Sequence, residues 1–394
     1  MGWNWIIHLA KYCRLHVITE GEWKDEIETA MLSLPQGANI TWHFIPVSEK
    51  VRNMCWNQGD WRFYWYYRKW QKLALVEAEK ILKSCHIDII HQLNMIGYRE
   101  PGYLWKIKYK PYVWGPIGGM ELVPIQYFKD GGLALHLMSC IKNFINWLQV
   151  RTSRRVGLAI QRAGVLISAV PGVRKTISEV HHRESIVIAE TGCLAQETPP
   201  SIRRLDIGKT MKLLWVGKFD ARKQLGIALK AVSILSARIP VELHVCGTGT
   251  DKQVADYEKM AENLGIKDKV VWYGKVPMDV VHEVREQSHL FFFTSVMDAT
   301  STVLVEAIQS CLPIVCFDTC GMSSIVDDSI GTKIPLTTPE QSAKDFAGVI
   351  LEYYRNGDLL QKKSMACKEK MVDLSWESKA KIMVELYEDA RCQK

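Results

Sequence analysis

The sequence predicts an α/β protein of two doubly wound domains whose parallel sheets face each other across a cleft. Three observations carry this. Short apolar runs alternate with helical patterns along the whole chain, as in parallel sheets covered by helices on both faces. The 394 residues suffice for two cores. A polar stretch over 190–210, broken by Pro199-Pro200, reads as the link between them. The expected division is a first domain over 1–195, a linker over 196–210, a second domain over 211–375 and a last helix over 376–394.

The chain opens on a helical pattern, with Trp3, Ile6, Ile7, Ala10 and Cys13 at helical spacing. Strands follow at 15–19, 41–46, 87–91, 111–114, 164–169 and 185–189 in the first half. In the second half they follow at 212–217, 241–246, 269–273, 290–294 and 313–317. The last helix carries Trp376, Ala380, Met383 and Tyr387 on one face behind a Ser375 cap. In doubly wound sheets ligands bind beyond the strand C-termini, so the loops there are where function is sought.

Composition narrows the class. With 47% hydrophobic and 24% charged residues the chain reads as an ordinary soluble globular protein. No uncharged apolar stretch approaches the roughly 18 residues of a membrane span, and the start lacks the basic region and cleavage site of a signal peptide. Eleven cysteines are scattered without a C-x-x-C pair, and Cys311, Cys316 and Cys320 match no common zinc spacing. They are expected to be reduced thiols of a cytoplasmic protein, several of them in the core. Residues 1–195 hold 24 Lys/Arg against 16 Asp/Glu, so the excess positive charge lies in the first half. That points to an anionic membrane surface or a phosphate-bearing acceptor, and no nucleic-acid motif accompanies it.

The densest chemistry lies in 294–321, TSVMDATSTVLVEAIQSCLPIVCFDTCG. Asp298 and Glu306 stand eight residues apart across a helix start, with Thr300, Ser301 and Thr302 between them. Hydroxyl residues suit the N-cap, and the free N–H groups and positive dipole of a helix start favour a phosphate. Glu306, one turn inside an apolar helix, needs donors that sugar or ribose hydroxyls would supply. Taken singly, such carboxylates often only complement the helix dipole. In LLWVGKFDARKQL, Gly217 ends a strand, and Lys218 and Lys223 can neutralise a diphosphate; a solvated basic loop is the plainer reading of either lysine alone. The 245–249 turn and the Tyr273-Gly274-Lys275-Val276 segment follow further strands. In Trp114-Gly115-Pro116-Ile117-Gly118-Gly119, glycines let the backbone approach a ligand closely, although a plain turn would look the same. His91, at the end of a strand, is a further cleft candidate, and an isolated His is more often structural. The segment 52–72, rich in aromatics and cations, and Leu133 to Val150 with Arg151, Arg154 and Arg155 are candidate membrane-facing helices.

The string Asp298, Glu306, Cys311, Pro313, Ile314, Val315, Gly321 resembles the sugar-nucleotide site of glycosyltransferase family 4, with Asp in place of the commoner Glu. The W-G-P-I-G-G loop is similar to that of a bacterial polysaccharide-biosynthesis subgroup of that family. The resemblance implies the GT-B fold and a retaining, metal-independent hexosyltransferase with no cofactor beyond its nucleotide-sugar donor. The absence of a D-x-D motif fits this. It assigns Glu306 to the ribose, Thr300 to Thr302 to the phosphates, Asp298 to the hydroxyls of the transferred sugar, and Lys218 and Lys223 to the diphosphate. Lys218 stands where the family has Arg, a point charge in place of a fork. Gly217 belongs to the same donor site, Lys275 and Val276 lie along the nucleobase, and Gly115, Gly118 and Gly119 face the donor sugar. The acceptor is expected to be a lipid-linked glycan at the inner face of the cytoplasmic membrane. Gly2-Trp3-Asn4-Trp5 resembles the tail of a loop that follows the first strand in this subgroup, so the first domain is expected to lack that strand. A sugar-nucleotide epimerase of the same architecture and a non-catalytic nucleotide-sugar-binding protein are the alternatives.

Overall fold

The computed structural model describes residues 1–56, 61–93, 95–129, 132–194, 200–299 and 301–392. All eleven strands read from the sequence form, with ends displaced by at most three residues, and a twelfth joins them. In the first half these are β1 (Leu15–Thr19), β2 (Ile40–Phe44), β3 (Ile90–Gln92), β4 (Tyr112–Ile117), β5 (Val165–Ser168) and β6 (Ile186–Val187). β1 and β2 pair in parallel with each other, and β3-β4-β5-β6 form a separate parallel sheet. The ladder of β3 begins only at Ile90, whose N–H donates to the carbonyl of Pro111, a residue with no N–H to return.

The second half builds one continuous parallel sheet from β7 (Met211–Val216), β8 (Val241–Cys246), β9 (Val270–Gly274), β10 (Leu290–Phe293), β11 (Ile314–Phe317) and β12 (Gly331–Ile334), in the order β12-β11-β10-β7-β8-β9. Its central strands read as unbroken apolar runs because both faces are covered. Leu213, Trp215, Phe292 and Phe317 fill one layer, while Leu214, Phe291, Phe293 and Cys316 fill the other. β12, Gly-Thr-Lys-Ile, escaped the sequence reading because an edge strand with a lysine carries no apolar run.

The Trp376–Cys392 helix returns to the first half. Ser375 caps it by accepting the Ser378 N–H at 3.1 Å, and Trp376, Ala380, Met383 and Tyr387 are buried with Trp5, Val113, Val165 and Ile167. The opening helix, Gly2–Leu9, buries Trp5 and Leu9 rather than Trp3, which lies half-buried against Trp42. The two strands of chain crossing between the domains run side by side: Cys193 N–H donates to Leu374 O at 2.8 Å and Trp376 N–H to Cys193 O at 3.2 Å. A third crossing was not foreseen. Tyr127 and Phe128 leave the first half and enter the core of the second, where Tyr127 stacks edge-on against Phe317 and shares a hydrogen bond with Ser342. All eleven cysteines are free. Among the described residues no helix is long and apolar enough to cross a membrane.

Candidate functional site

In the second sheet the strand order reverses between β7 and β10, so the connections leaving these neighbours turn to opposite faces and open a crevice at their C-terminal ends. The loops that follow them are the two richest in predicted site residues. A relay of hydrogen bonds joins them. The Trp215 indole N–H donates to the Thr294 hydroxyl at 3.0 Å, and that hydroxyl donates to the carbonyl of Lys223 at 2.8 Å. Val296 N–H donates to Arg222 O at 2.9 Å. The result brings Lys223 onto Asp298, Nζ to Oδ2 at 2.6 Å, with the ammonium also 4.6 Å from the centre of the Phe293 ring. Both side chains are mostly buried, which strengthens the pair over a surface one.

Asp298 is held from behind by the closing glycine of the motif. Gly321 N–H donates to Asp298 O at 2.9 Å, and a Cβ on Gly321 would stand 2.4 Å from Ala299 O. Three turn glycines tie the ends of β7, β8 and β9 in a row: Gly217 N–H donates to Cys246 O and Gly247 N–H to Gly274 O. Gly247 passes so close that a Cβ there would lie 1.8 Å from Gly217 O. Without side chains at these positions the three turns pack directly backbone on backbone. Lys218 and Lys275 are exposed on these turns, and Val276 packs at the edge of the core.

Ser301 is the buried N-cap of the Thr302–Gln309 helix, and its side chain makes no capping bond. Thr302 is exposed at the first turn; Thr300 lies outside the described residues. Glu306, one turn on, accepts from Arg285 Nη2 at 2.5 Å through Oε2. Arg285 is buried in the Met278–Gln287 helix one turn beyond Val281. Sequence reasoning missed it, although an arginine at i+4 on an apolar stripe is a usable signal for a buried partner. The pair fixes one oxygen of Glu306, whose side chain stays 25% exposed.

On the first half, β4 delivers the glycine loop. Gly115 has φ +139° and would set a Cβ 2.2 Å from Ile167 O, so the glycine is required by β5. Gly118 N–H donates to Ile96 O, and its Cβ would meet Ile96 at 3.0 Å. Gly119, at φ +82°, faces open space with only Tyr98 within 4 Å. His91 has both ring nitrogens engaged: Nε2 donates to Gly115 O at 2.8 Å and Nδ1 accepts from Tyr387 at 2.7 Å. Burial lowers it to about 4, so the ring is neutral. It bolts the last helix to the glycine loop and offers no free nitrogen to a substrate. A carboxyl not singled out in the sequence lies nearby. Glu121, raised by burial, meets the thiol of Cys320 from the other domain.

No curated protein sequence matches the chain. Residues 200–370 match the family model of glycosyl transferases group 1. The apo form of the lipopolysaccharide outer core galactosyltransferase WaaB is 15% identical, with a TM-score of 0.59 over 91% of this chain and 95% of that one. HepE of Anabaena (Alr3699) in complex with UDP is 12% identical, with a TM-score of 0.59 over 98% and 96%. A glycosyltransferase from Rickettsia africae is 14% identical, with a TM-score of 0.56 over 95% and 97%. At such identities these likenesses establish the fold. The chain has the GT-B fold, two Rossmann-like domains, and its second half carries the match to glycosyl transferases group 1.

Proposed function

We propose that the protein is a retaining, metal-independent glycosyltransferase that moves a hexose from a nucleotide-sugar donor to a lipid-linked glycan in bacterial polysaccharide biosynthesis, working at the inner face of the cytoplasmic membrane. The observation that carries this reading is the Lys223–Asp298 pair at the switch point of the second sheet, flanked by turn glycines and by Glu306. The group 1 match over residues 200–370 supports it. HepE, one of the similar folds, is described with UDP and glucose bound; this chain is 13% identical to it in that complex.

In this reading Glu306 takes the ribose hydroxyls with the oxygen that Arg285 leaves free. Thr300, Ser301 and Thr302 at the helix start, with Lys218 and Lys223, receive the diphosphate. Lys275 and Val276 meet the base through backbone groups, and Asp298 takes a hydroxyl of the sugar while holding Lys223 in register. The anomeric carbon's bond to the phosphate oxygen breaks, the acceptor hydroxyl adds on the same face, and its proton passes to the departing phosphate. Cationic side chains stabilise the leaving dianion as its charge develops. Gly119 faces the sugar from the first domain, and Gly115 and Gly118 shape the loop that carries it.

A thermal-shift panel of UDP-, GDP- and other nucleotide sugars tests the donor site, and the reading fails if none stabilises the protein. Lys223→Ala is expected to lower kcat by about 100- to 1,000-fold, with binding of the donor less affected. Transfer that survives a chelator and a product of unchanged anomeric configuration would sustain the metal-independent, retaining assignment. The epimerase alternative expects a free histidine in the cleft, and His91 has both ring nitrogens engaged by the protein.

A further inference from the structure

The Leu133–Thr152 helix turns a broad apolar face outward. Four of its inward positions are polar, Ser139, Asn143, Asn146 and Gln149, beside the apolar Leu135 and Val150. Its outward face carries Leu133, Leu137, Ile141, Phe144, Ile145 and Leu148, each more than 40% exposed. An ordinary surface helix has the opposite arrangement, with its apolar stripe inward. Hydrogen bonds fix the orientation. Asn143 exchanges two bonds of 2.8 Å with the backbone of Val123. Asn146 donates to Met120 O and Glu121 O at 3.1 Å and accepts from Tyr98 and Arg99. The apolar face is therefore held outward by the fold.

The helix has no Asp or Glu among its twenty residues, and Lys142 and Arg151 stand among its exposed positions. Phe144 and Trp147 stack, and Arg151 lies over Trp147 at 4.5 Å. In the helix whose Tyr64 and Arg68 line the same cavity as Lys142, Trp65 is exposed with Lys69 3.5 Å from its ring, and Trp61 just before that helix is exposed too; residues 57–60 of that segment lie outside the described set. Apolar side chains, interfacial aromatics and cations without acids complement an anionic bilayer surface.

Behind the helix lies a cavity of about 680 Å³, a size that encloses a ligand of a few rings. Its lining includes Arg99, Lys142, Asn143, Gly119, Glu121 and Met297. Met297 adjoins Asp298, so the cavity reaches the donor loop. Its charges do not cancel. Glu100, fully buried, is matched by both Arg68 and Arg155. Arg99 is held by the amide oxygens of Asn146 and Gln149, and neither it nor Lys142 has a carboxylate partner among the described residues.

We propose that this cavity receives the phosphate-bearing head of a membrane-anchored amphiphile while the outer face of the Leu133–Thr152 helix rests in the bilayer interface. Arg99 and Lys142 hold the phosphate, and the head's free hydroxyl lies toward Glu121 and Met297. The assignment of that amphiphile as the sugar acceptor rests on the glycosyltransferase reading; the membrane contact does not.

The full chain is tested by co-sedimentation with vesicles of phosphatidylcholine, with and without phosphatidylglycerol. Binding is expected to need phosphatidylglycerol and to fall at least about tenfold in the Leu137→Glu/Phe144→Glu double variant, whose sites are exposed, with melting temperature unchanged. In a second arm, farnesyl diphosphate should raise the melting temperature more than pyrophosphate does, and Lys142→Glu should remove that gain. Full vesicle binding by the double variant overturns the membrane contact. So does a concentration-dependent dimer broken by the double variant without vesicle binding, because a second copy is then the occupant. Equal shifts from pyrophosphate and farnesyl diphosphate reduce the cavity to a free-anion site and overturn the amphiphile. Failure of every nucleotide sugar to bind, with both arms succeeding, would remove the glycosyltransferase reading and leave this one standing.

Discussion

The two halves each place a site beyond their strand ends, yet they build it from different materials. In the second half the strands form one unbroken ladder, and four charged side chains of its candidate site are already paired, Lys223 with Asp298 and Arg285 with Glu306. In the first half the strands divide into sets of two and four, and every residue of β1 is only half-buried. Its candidate site consists of backbone, a neutral histidine and a cavity behind a helix with an exposed apolar face. The difference teaches where preorganisation is invested. Charges that must stabilise a developing diphosphate gain from being fixed before the donor arrives. A surface that must accommodate a large amphiphile gains from open backbone and an apolar face. The family match, confined to residues 200–370, falls on the preorganised half.

The largest way to break this comparison is to add one methyl group to a turn glycine on each side. Gly247→Ala would drive Cβ to 1.8 Å from Gly217 O, a backbone atom that cannot swing aside. The expected loss is about 4 kcal/mol or more, with nucleotide-sugar binding abolished. Gly119→Ala meets nothing closer than Tyr98 at 3.9 Å, so only its positive φ is strained. That costs about 1–2 kcal/mol, and donor binding should survive. Urea unfolding of the two variants measures both. Equal losses would mean that the two loops are equally rigid.

Most of the architecture was legible because buried parallel strands announce themselves as apolar runs. Leu290–Phe293 and Ile314–Phe317 could hardly be read otherwise. The candidate donor residues stood out because a strand end, a hydroxyl-rich helix start and two carboxylates fall together at 290–306. What escaped was pairing across distance. Arg285 is 21 residues from Glu306, and nothing local marks it as that carboxylate's partner. The Tyr127 crossing was invisible for the same reason: an Ile-Gln-Tyr-Phe turn does not reveal which domain it enters. Periodicity found the Leu133–Thr152 helix but could not tell its inner from its outer face, because asparagines at helical spacing read as a solvated side. His91 was placed correctly at a strand end, yet its two hydrogen bonds reach Gly115 and Tyr387, 24 and 296 residues away.

A middle-sized effect sharpens the role of the Arg285–Glu306 pair. Glu306→Ala strands a buried guanidinium, at an expected cost of about 2 kcal/mol given that Glu306 keeps some solvent. Nucleotide-sugar affinity should fall at least about tenfold, the loss of one good charged hydrogen-bond partner. Arg285→Met should lose less stability, because the freed carboxylate can turn to water, yet it should weaken donor binding through misplacement of Glu306. A double-mutant cycle read by calorimetry separates the two. Additive losses in binding would show that Arg285 does not orient the carboxylate.

The smallest effect compares one histidine from each half. His91 and His289 are both lowered to about 4, His91 by burial and His289 by burial and then by Lys212, Arg203 and His244. Unfolded, each would titrate near the ordinary value of about 6.5. Between those values the unfolded chain binds protons that the native rings refuse, so stability rises with pH and is lost as pH falls from about 6.5 toward 4. A gap of this size corresponds to about 2 kcal/mol for each ring, after allowance for residual solvent contact. His91 sits between Gly115 O and the Tyr387 hydroxyl, so its share should appear as release of the last helix from the first domain. Amide protection factors in Trp376–Cys392 should therefore fall on acidification before those in β7, β8 and β10 do. His91→Gln should exchange faster there at neutral pH but lose that acid dependence, because Gln has no proton to gain. Unchanged acid sensitivity in that variant would move the effect to His289 and the second domain.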